Sequence, residues 1–144
     1  MTNIYLGKDI RLKDGQIQFS QSQDFLVVDD NMNLQQAIFT RLQTVLGELY
    51  NTNYGSELYK AVGNIRNELL RGQIIGYISG ALYQEPRIKR IDGISINFPE
   101  DSPKEVEVTI TVIPIESDTP LNLIYPMFLW GNEKWVILKK RQKK

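Results

Sequence analysis

The order of its elements predicts an α+β domain, a mainly antiparallel sheet packed with two longer helices and one short helix. Three observations carry this. Residues 9–28 read as short strands around an Asp14-Gly15 turn. Two stretches of helical period fill the middle of the chain. Beyond Pro86 the pattern turns to alternation, strongest where Val106, Val108, Ile110 and Val112 interleave with Glu105, Glu107, Thr109 and Thr111. Strands, then helices, then strands is the order of a segregated α+β fold rather than of βαβ units.

Taken in order, Asp14-Gly15 suits a hairpin because both positions tolerate positive φ, and Ile17 and Phe19 alternate with Gln16 and Gln18. Phe25 to Val28 is a short apolar run. In the first helix Asn33 is the expected N-cap, with Gln36 as its capping-box partner and Met32 and Ala37 at the staple positions. Leu34, Ile38, Leu42 and Val45 form its core-facing stripe, and Gly47 offers the left-handed position after its end. The loop ELYNTNYGS leads into a short helix capped by Ser56 and closed by Gly63.

The second long helix is expected from about Ile65 to Tyr83, capped by Asn64, with Leu70, Ile74, Tyr77, Ile78 and Ala81 in the core. Gly72, Gly76 and Gly80 recur on one face, each giving up roughly 1 kcal/mol of helix propensity against alanine. Close approach of another backbone accounts for such a stripe, in the first instance one from this chain and otherwise one from a partner. Glu85 is pushed toward extended geometry by Pro86, which ends the helix. Ile94, Ile96 and Phe98 then mark a half-buried strand, Pro99 to Lys104 a polar turn, and Pro114 closes the Val106–Val112 strand. Leu121–Trp130 and Lys134–Leu138 read as two more strands joined at Gly131-Asn132.

At 144 residues, 42% hydrophobic and 24% charged, the chain is expected to be one domain over residues 1–138 that needs neither disulfide nor metal to fold. A basic tail follows: Lys139, Lys140, Arg141, Lys143 and Lys144 place five positive charges in the last six residues, which leaves the rest with 12 basic and 17 acidic side chains. Cysteine and histidine are absent, which excludes thiolate nucleophiles, Cys/His metal sites and histidine-based triads. The sequence shows neither a secretory signal pattern at its start nor an apolar run near membrane-span length.

No glycine precedes Gly7-Lys8 at P-loop spacing, and no G-x-G-x-x-G run occurs, so no nucleotide or other cofactor is expected. Nucleic-acid binding would set the basic tail beside Trp130 and Trp135, yet those aromatics fall in strand patterns, so none is expected either. Paired carboxylates remain. Glu48, Glu57 and Glu85 stand near helix ends, and two of them facing each other would suit a glycan hydrolase if one had a raised pKa. Glu85 and Arg87 flank Pro86, and in extended geometry residues two apart point the same way. The pair is then either a salt-bridged local device or a stiff fork of opposite charges offered to another protein.

The run L-x-T-x-x-G-E at Leu42–Glu48, the Y-G-S at Tyr54–Ser56 and the E-P-R at Glu85–Arg87 stand in an order and spacing that resemble the baseplate wedge, or sheath-initiator, family of contractile phage tails, which has relatives in type VI secretion and other contractile injection machines. The resemblance covers about Gly7 to Val112. It implies a structural rather than catalytic protein, although the family sometimes carries a lysozyme-like label. It implies that Glu85, Pro86 and Arg87 dock on the helical core bundle of the wedge. It also implies strand addition from the tail sheath protein at a sheet edge, for which Leu121–Trp130 and Lys134–Leu138 are candidates, with Trp135, Val136, Ile137 and Leu138 as the contact. The implied partners are wedge and sheath proteins, with tail tube or hub proteins beside them. The implied setting is a virion baseplate, made in the host cytoplasm, with several copies in a six-fold assembly and neither nucleic acid nor membrane as partner.

Overall fold

The computed structural model describes residues 4–13 and 16–130. The Asp14-Gly15 and Gly131-Asn132 turns, the strand Lys134–Leu138 with Trp135, Val136, Ile137 and Leu138, and the basic tail lie outside the described residues. After a 3-10 turn at Ile4–Leu6 comes an antiparallel arm. Lys8–Ile10 (β1) pairs with Val27–Asp29 (β4), and Leu12–Lys13 (β2) pairs with Gln16–Ile17 (β3). The bonds Arg11 N to Leu26 O at 2.7 Å and Leu26 N to Gln18 O at 3.0 Å knit these pairs into one meander.

Helix α1, Asp30–Gln43, leaves β4 directly, with Asp29 rather than Asn33 at its N-cap. The expected capping box is therefore corrected. Asn33 lies inside the helix, buried, and its Nδ2 donates to Leu6 O at 2.8 Å. Gln36 serves the arm: its Oε1 accepts from Leu12 N and its Nε2 donates to Ile10 O, each at 2.8 Å. Met32, expected to staple the helix start, is exposed. Leu34, Ile38 and Leu42 are buried as their period predicts. The helix stops before Val45 because Thr44 turns extended and its carbonyl accepts from Ser56 N at 2.8 Å. Gly47 does adopt positive φ, at +89°, but four residues beyond the helix.

The short helix is a 3-10 turn at Leu58–Ala61, and Ser56 Oγ accepts from Leu58 N at its start. Helix α2 spans Glu68–Tyr83, three residues later than expected, with Asn67 Oδ1 accepting from Leu70 N at 2.8 Å as its cap. Asn64 is not the cap. Residues before the helix are held elsewhere, with Arg66 Nη1 donating to Pro99 O at 2.7 Å and to Ser102 O at 3.1 Å. Leu70, Ile74, Ile78 and Ala81 are buried, with Leu82 beside them, while Tyr77 is half-buried.

Three long strands complete the described residues: β5, Ile88–Asn97, β6, Glu105–Pro114, and β7, Leu121–Phe128. They form an antiparallel sheet in the order β5-β6-β7. One face of β6 is fully buried at Val106, Val108, Ile110 and Val112. Beside it, Leu123, Tyr125 and Met127 of β7 alternate with exposed Asn122, Ile124 and Pro126. Both helices pack on that face, where the Phe39 and Tyr125 rings stand 5.5 Å apart, so the core lies between one helical layer and one sheet. The fold is α+β and mainly antiparallel, as the order of elements predicts.

Candidate functional site

The chain leaves α2 with Glu85 N bonded to Leu82 O at 3.0 Å, and the E-P-R tripeptide forms the turn into β5. The segment is not extended as expected: Ile88 N donates to Glu85 O at 3.2 Å, closing a turn in which Glu85 and Arg87 meet each other. Glu85 Oε1 accepts from Arg87 Nε at 2.8 Å and from the Arg87 backbone N at 3.3 Å, and Oε2 accepts from Arg87 Nη2 at 3.2 Å. The same Oε2 accepts from Arg41 Nη2 of α1 at 3.2 Å. The Glu85 side chain is only 2% exposed and that of Arg87 28%, while Pro86 is exposed. The expected fork of two presented charges is therefore corrected: Glu85 faces inward, and Pro86 with one side of Arg87 faces out.

A carboxylate is tolerated there because it is paired. Burial pushes the Glu85 carboxyl up, but the hydrogen bonds and charge of Arg87, joined by the charge of Arg41, outweigh burial and hold it below the usual carboxylate range. The bond from Glu85 in turn raises the Arg87 guanidinium further.

Arg41 is the member that sequence reasoning missed. It is buried, and its guanidinium carbon stands 4.4 Å from the centroid of the Tyr54 ring. A signal existed. Arg41 is three residues after Ile38 and seven after Leu34, a position on the apolar stripe of α1, and a charge there requires a buried counter-charge.

The three sequence runs converge on this cluster. Tyr54 stacks on Arg41. Gly55 has φ +120°, and a Cβ there would stand 2.7 Å from Thr44 O, so glycine alone lets the loop run against the end of α1. Ser56 Oγ donates to Leu42 O at 2.7 Å. Arg87 Nη1 reaches Leu6 O at 3.4 Å and ties in the N-terminal turn. A groove of about 300 Å³ opens beside Arg87 and Tyr54, between the arm and α1.

The other carboxylates have separate commitments. Glu57 pairs with Lys60 at the surface, and Glu48 is exposed. Glu85, held ionised, is unsuited to act as a general acid. Among the described residues there is no cluster of three or more His, Cys, Asp or Glu fit to hold a metal, and no helix is long and apolar enough to cross a membrane.

The sequence signature of contractile injection system sheath initiators matches residues 8–117. The chain belongs to that family. The matched span takes in the arm, both helices, β5, β6 and the whole Arg41–Glu85–Arg87 cluster, and membership gives the chain a structural role in a contractile injection system. A protein of Geobacter sulfurreducens, provisionally named a tail lysozyme, has a similar solved structure, with a TM-score of 0.62 and 22% identity over 70% of this chain and 92% of that one. At that identity the likeness concerns the fold alone. No curated protein matches the chain. In this sheath initiator β7 pairs only with β6 among the described residues.

Proposed function

We propose that this sheath initiator is a non-catalytic baseplate component that docks on the core bundle of the wedge through the E-P-R turn and starts the sheath by offering a sheet edge. The observation that carries the docking half is the division of labour in the turn. Glu85 is consumed inside, so it braces the turn. Pro86 and the open side of Arg87 are stiffened by that bracing, which suits a contact that must bear load. In this reading Glu85 positions, while Pro86 and Arg87 touch the wedge. The sheath would add to the outer edge of β7 or to Trp135, Val136, Ile137 and Leu138. Wedge and sheath proteins are the partners, with tube or hub proteins nearby, in several copies of a six-fold baseplate in the virion or a tail-like particle.

The deciding experiment compares particles assembled with wild type and with Arg87→Ala. The variant is expected to melt within a few degrees of wild type and to be lost from purified baseplates. Retention at wild-type occupancy would overturn the docking role, and unfolding of the isolated variant would make Arg87 a local structural device. The rival reading, a peptidoglycan hydrolase built on paired glutamates, gains nothing from a Glu85 fixed between two arginines. A zymogram of the purified chain is expected to show no clearing. Clearing that disappears with Glu48→Gln or Glu57→Gln would restore the enzyme.

A further inference from the structure

The N-terminal arm stands apart from the core. Its strands pair with one another, while β5, β6 and β7 form a separate sheet. Ile17, Phe19, Phe25 and Val27 are exposed rather than part of the buried cluster. An element with few buried apolar contacts opens more readily than the core.

The chain enters and leaves the arm at one place. Lys8 pairs with Asp29, and the residue on the body side of each has positive φ: Gly7 at +74° and Asp30 at +57°. Left-handed backbone is open to glycine and tolerated by aspartate. One such residue at the end of each paired strand makes a hinge, in which a few terminal residues absorb a change of angle while what they connect stays rigid.

Both sides of that hinge are firm. On the body side the Leu6 side chain is fully buried, and its carbonyl accepts from Asn33 Nδ2 at 2.8 Å and from Arg87 Nη1 at 3.4 Å. Asp30 opens α1. On the arm side, Arg11 N donates to Leu26 O at 2.7 Å and Leu26 N to Gln18 O at 3.0 Å. Beyond the hinge the Gln36 amide ties the arm to α1 through Leu12 N and Ile10 O. The groove of about 300 Å³ lies between them, lined by Asp9, Leu12 and Ile17 of the arm and by Tyr54 and Arg87 of the body. Asp9 and Arg87 carry opposite charges, which favours the closed position.

We infer that the arm is a hinged lid over Arg87, turning as one body about Gly7 and Asp30 with the Gln36 amide as its latch. Turned away from α1, it uncovers the side of Arg87 that lines the groove. The use of the lid rests on the docking reading above: it sets how much of Arg87 a partner can reach.

The chain has no cysteine, so two labels can be placed by substitution. Spin labels on Gln21→Cys, at the exposed end of the arm, and Gln73→Cys, exposed on α2, report the distance between arm and body by pulsed electron resonance. Gln36→Ala removes the latch and is expected to raise the population at a second, distinct distance about tenfold, as the loss of two hydrogen bonds allows. The Arg11 and Leu26 amides are expected to keep wild-type protection from hydrogen exchange, because the arm turns without unravelling. Phenylglyoxal modification of Arg87, mapped by peptide mass, should quicken with the open population. An unchanged distance distribution would show an arm fixed by its backbone. Lost protection at Arg11 and Leu26 would show unravelling, and an unchanged Arg87 rate would show that the arm covers nothing there. Each of these three results overturns the lid. All are measured on the chain alone, so a rigid arm removes the lid and leaves the docking turn to the test on assembled particles.

Discussion

Glu85 Oε1 lies 2.8 Å from Nε of Arg87, two residues along the chain, and the carboxylate that makes this bond is shut away from water. Its second oxygen is shared with Arg41, so one negative charge serves two guanidiniums. Removing that charge leaves Arg41 buried without its counter-ion. We expect Glu85→Gln to lower unfolding free energy by about 3–5 kcal/mol in urea denaturation. Arg41→Met should be milder, below about 2 kcal/mol, because Glu85 keeps its two-point contact with Arg87 and the methionine keeps an apolar stem against Tyr54. Equal losses in the two variants would mean that Arg41 and Arg87 do not share the load as the distances indicate.

The same cluster sets an acid dependence. The Glu85 carboxyl titrates below its ordinary value of 4.5 in the folded chain. A lowered folded pKa means that the unfolded chain binds the proton first. The stabilisation is therefore complete above about pH 4.5 to 5 and is lost as pH falls through the folded value. Between pH 6 and pH 3, wild type should lose more stability than Glu85→Gln, so the two curves converge on the acid side. Parallel curves would show that other carboxylates govern the acid limb.

Much of the scaffold was legible because it follows single-element periods. Leu34, Ile38 and Leu42, then Leu70, Ile74 and Ile78, then the alternation of β6, each need only local sequence to identify a buried face. The failures share a different cause. Asn33 and Gln36 look like a capping box locally, but their amides are used by backbone groups 24 to 27 residues away. Strand β5 begins at Ile88 rather than near Ile94 because register shifts between Ile88 and Arg90, and again between Ile91 and Gly93, break the two-residue period that marks a strand. Of the candidate site, the position of the E-P-R turn was legible and the direction of Glu85 was not, because that direction is set by Arg41 on another helix.

Pro126 bears on the sheet edge. It pairs opposite Glu107 in β7 and, lacking an N–H, cannot belong to a doubly bonded pair with β6. Its nitrogen therefore faces the outer edge, where it removes one donor from the row an incoming strand would meet. Pro126→Val restores that donor at an exposed position. We expect the variant to self-associate more strongly than wild type in sedimentation at matched concentration. Identical sedimentation would mean that this edge is not open to pairing in the isolated protein.

The glycines of α2 and the glycine before Ser56 make opposite demands. Gly72, Gly76 and Gly80 are exposed, their φ values are not in the left-handed region, and an added Cβ meets nothing within 4 Å at any of them. Packing among the described residues therefore does not account for the stripe. Nothing in the fold opposes alanine, so each Gly→Ala change should add up to about 1 kcal/mol through helix propensity and a less flexible unfolded chain. Gly55 is the contrary case, at φ +120° with its would-be Cβ 2.7 Å from Thr44 O and 2.9 Å from Leu46 N. Both neighbours are backbone and neither can yield cheaply. Gly55→Ala should therefore destabilise by more than about 2 kcal/mol, and it should loosen Tyr54 from Arg41 as the loop shifts. Urea midpoints of the four single variants decide the matter: a stabilising Gly55→Ala or a destabilising trio on α2 would contradict these placements.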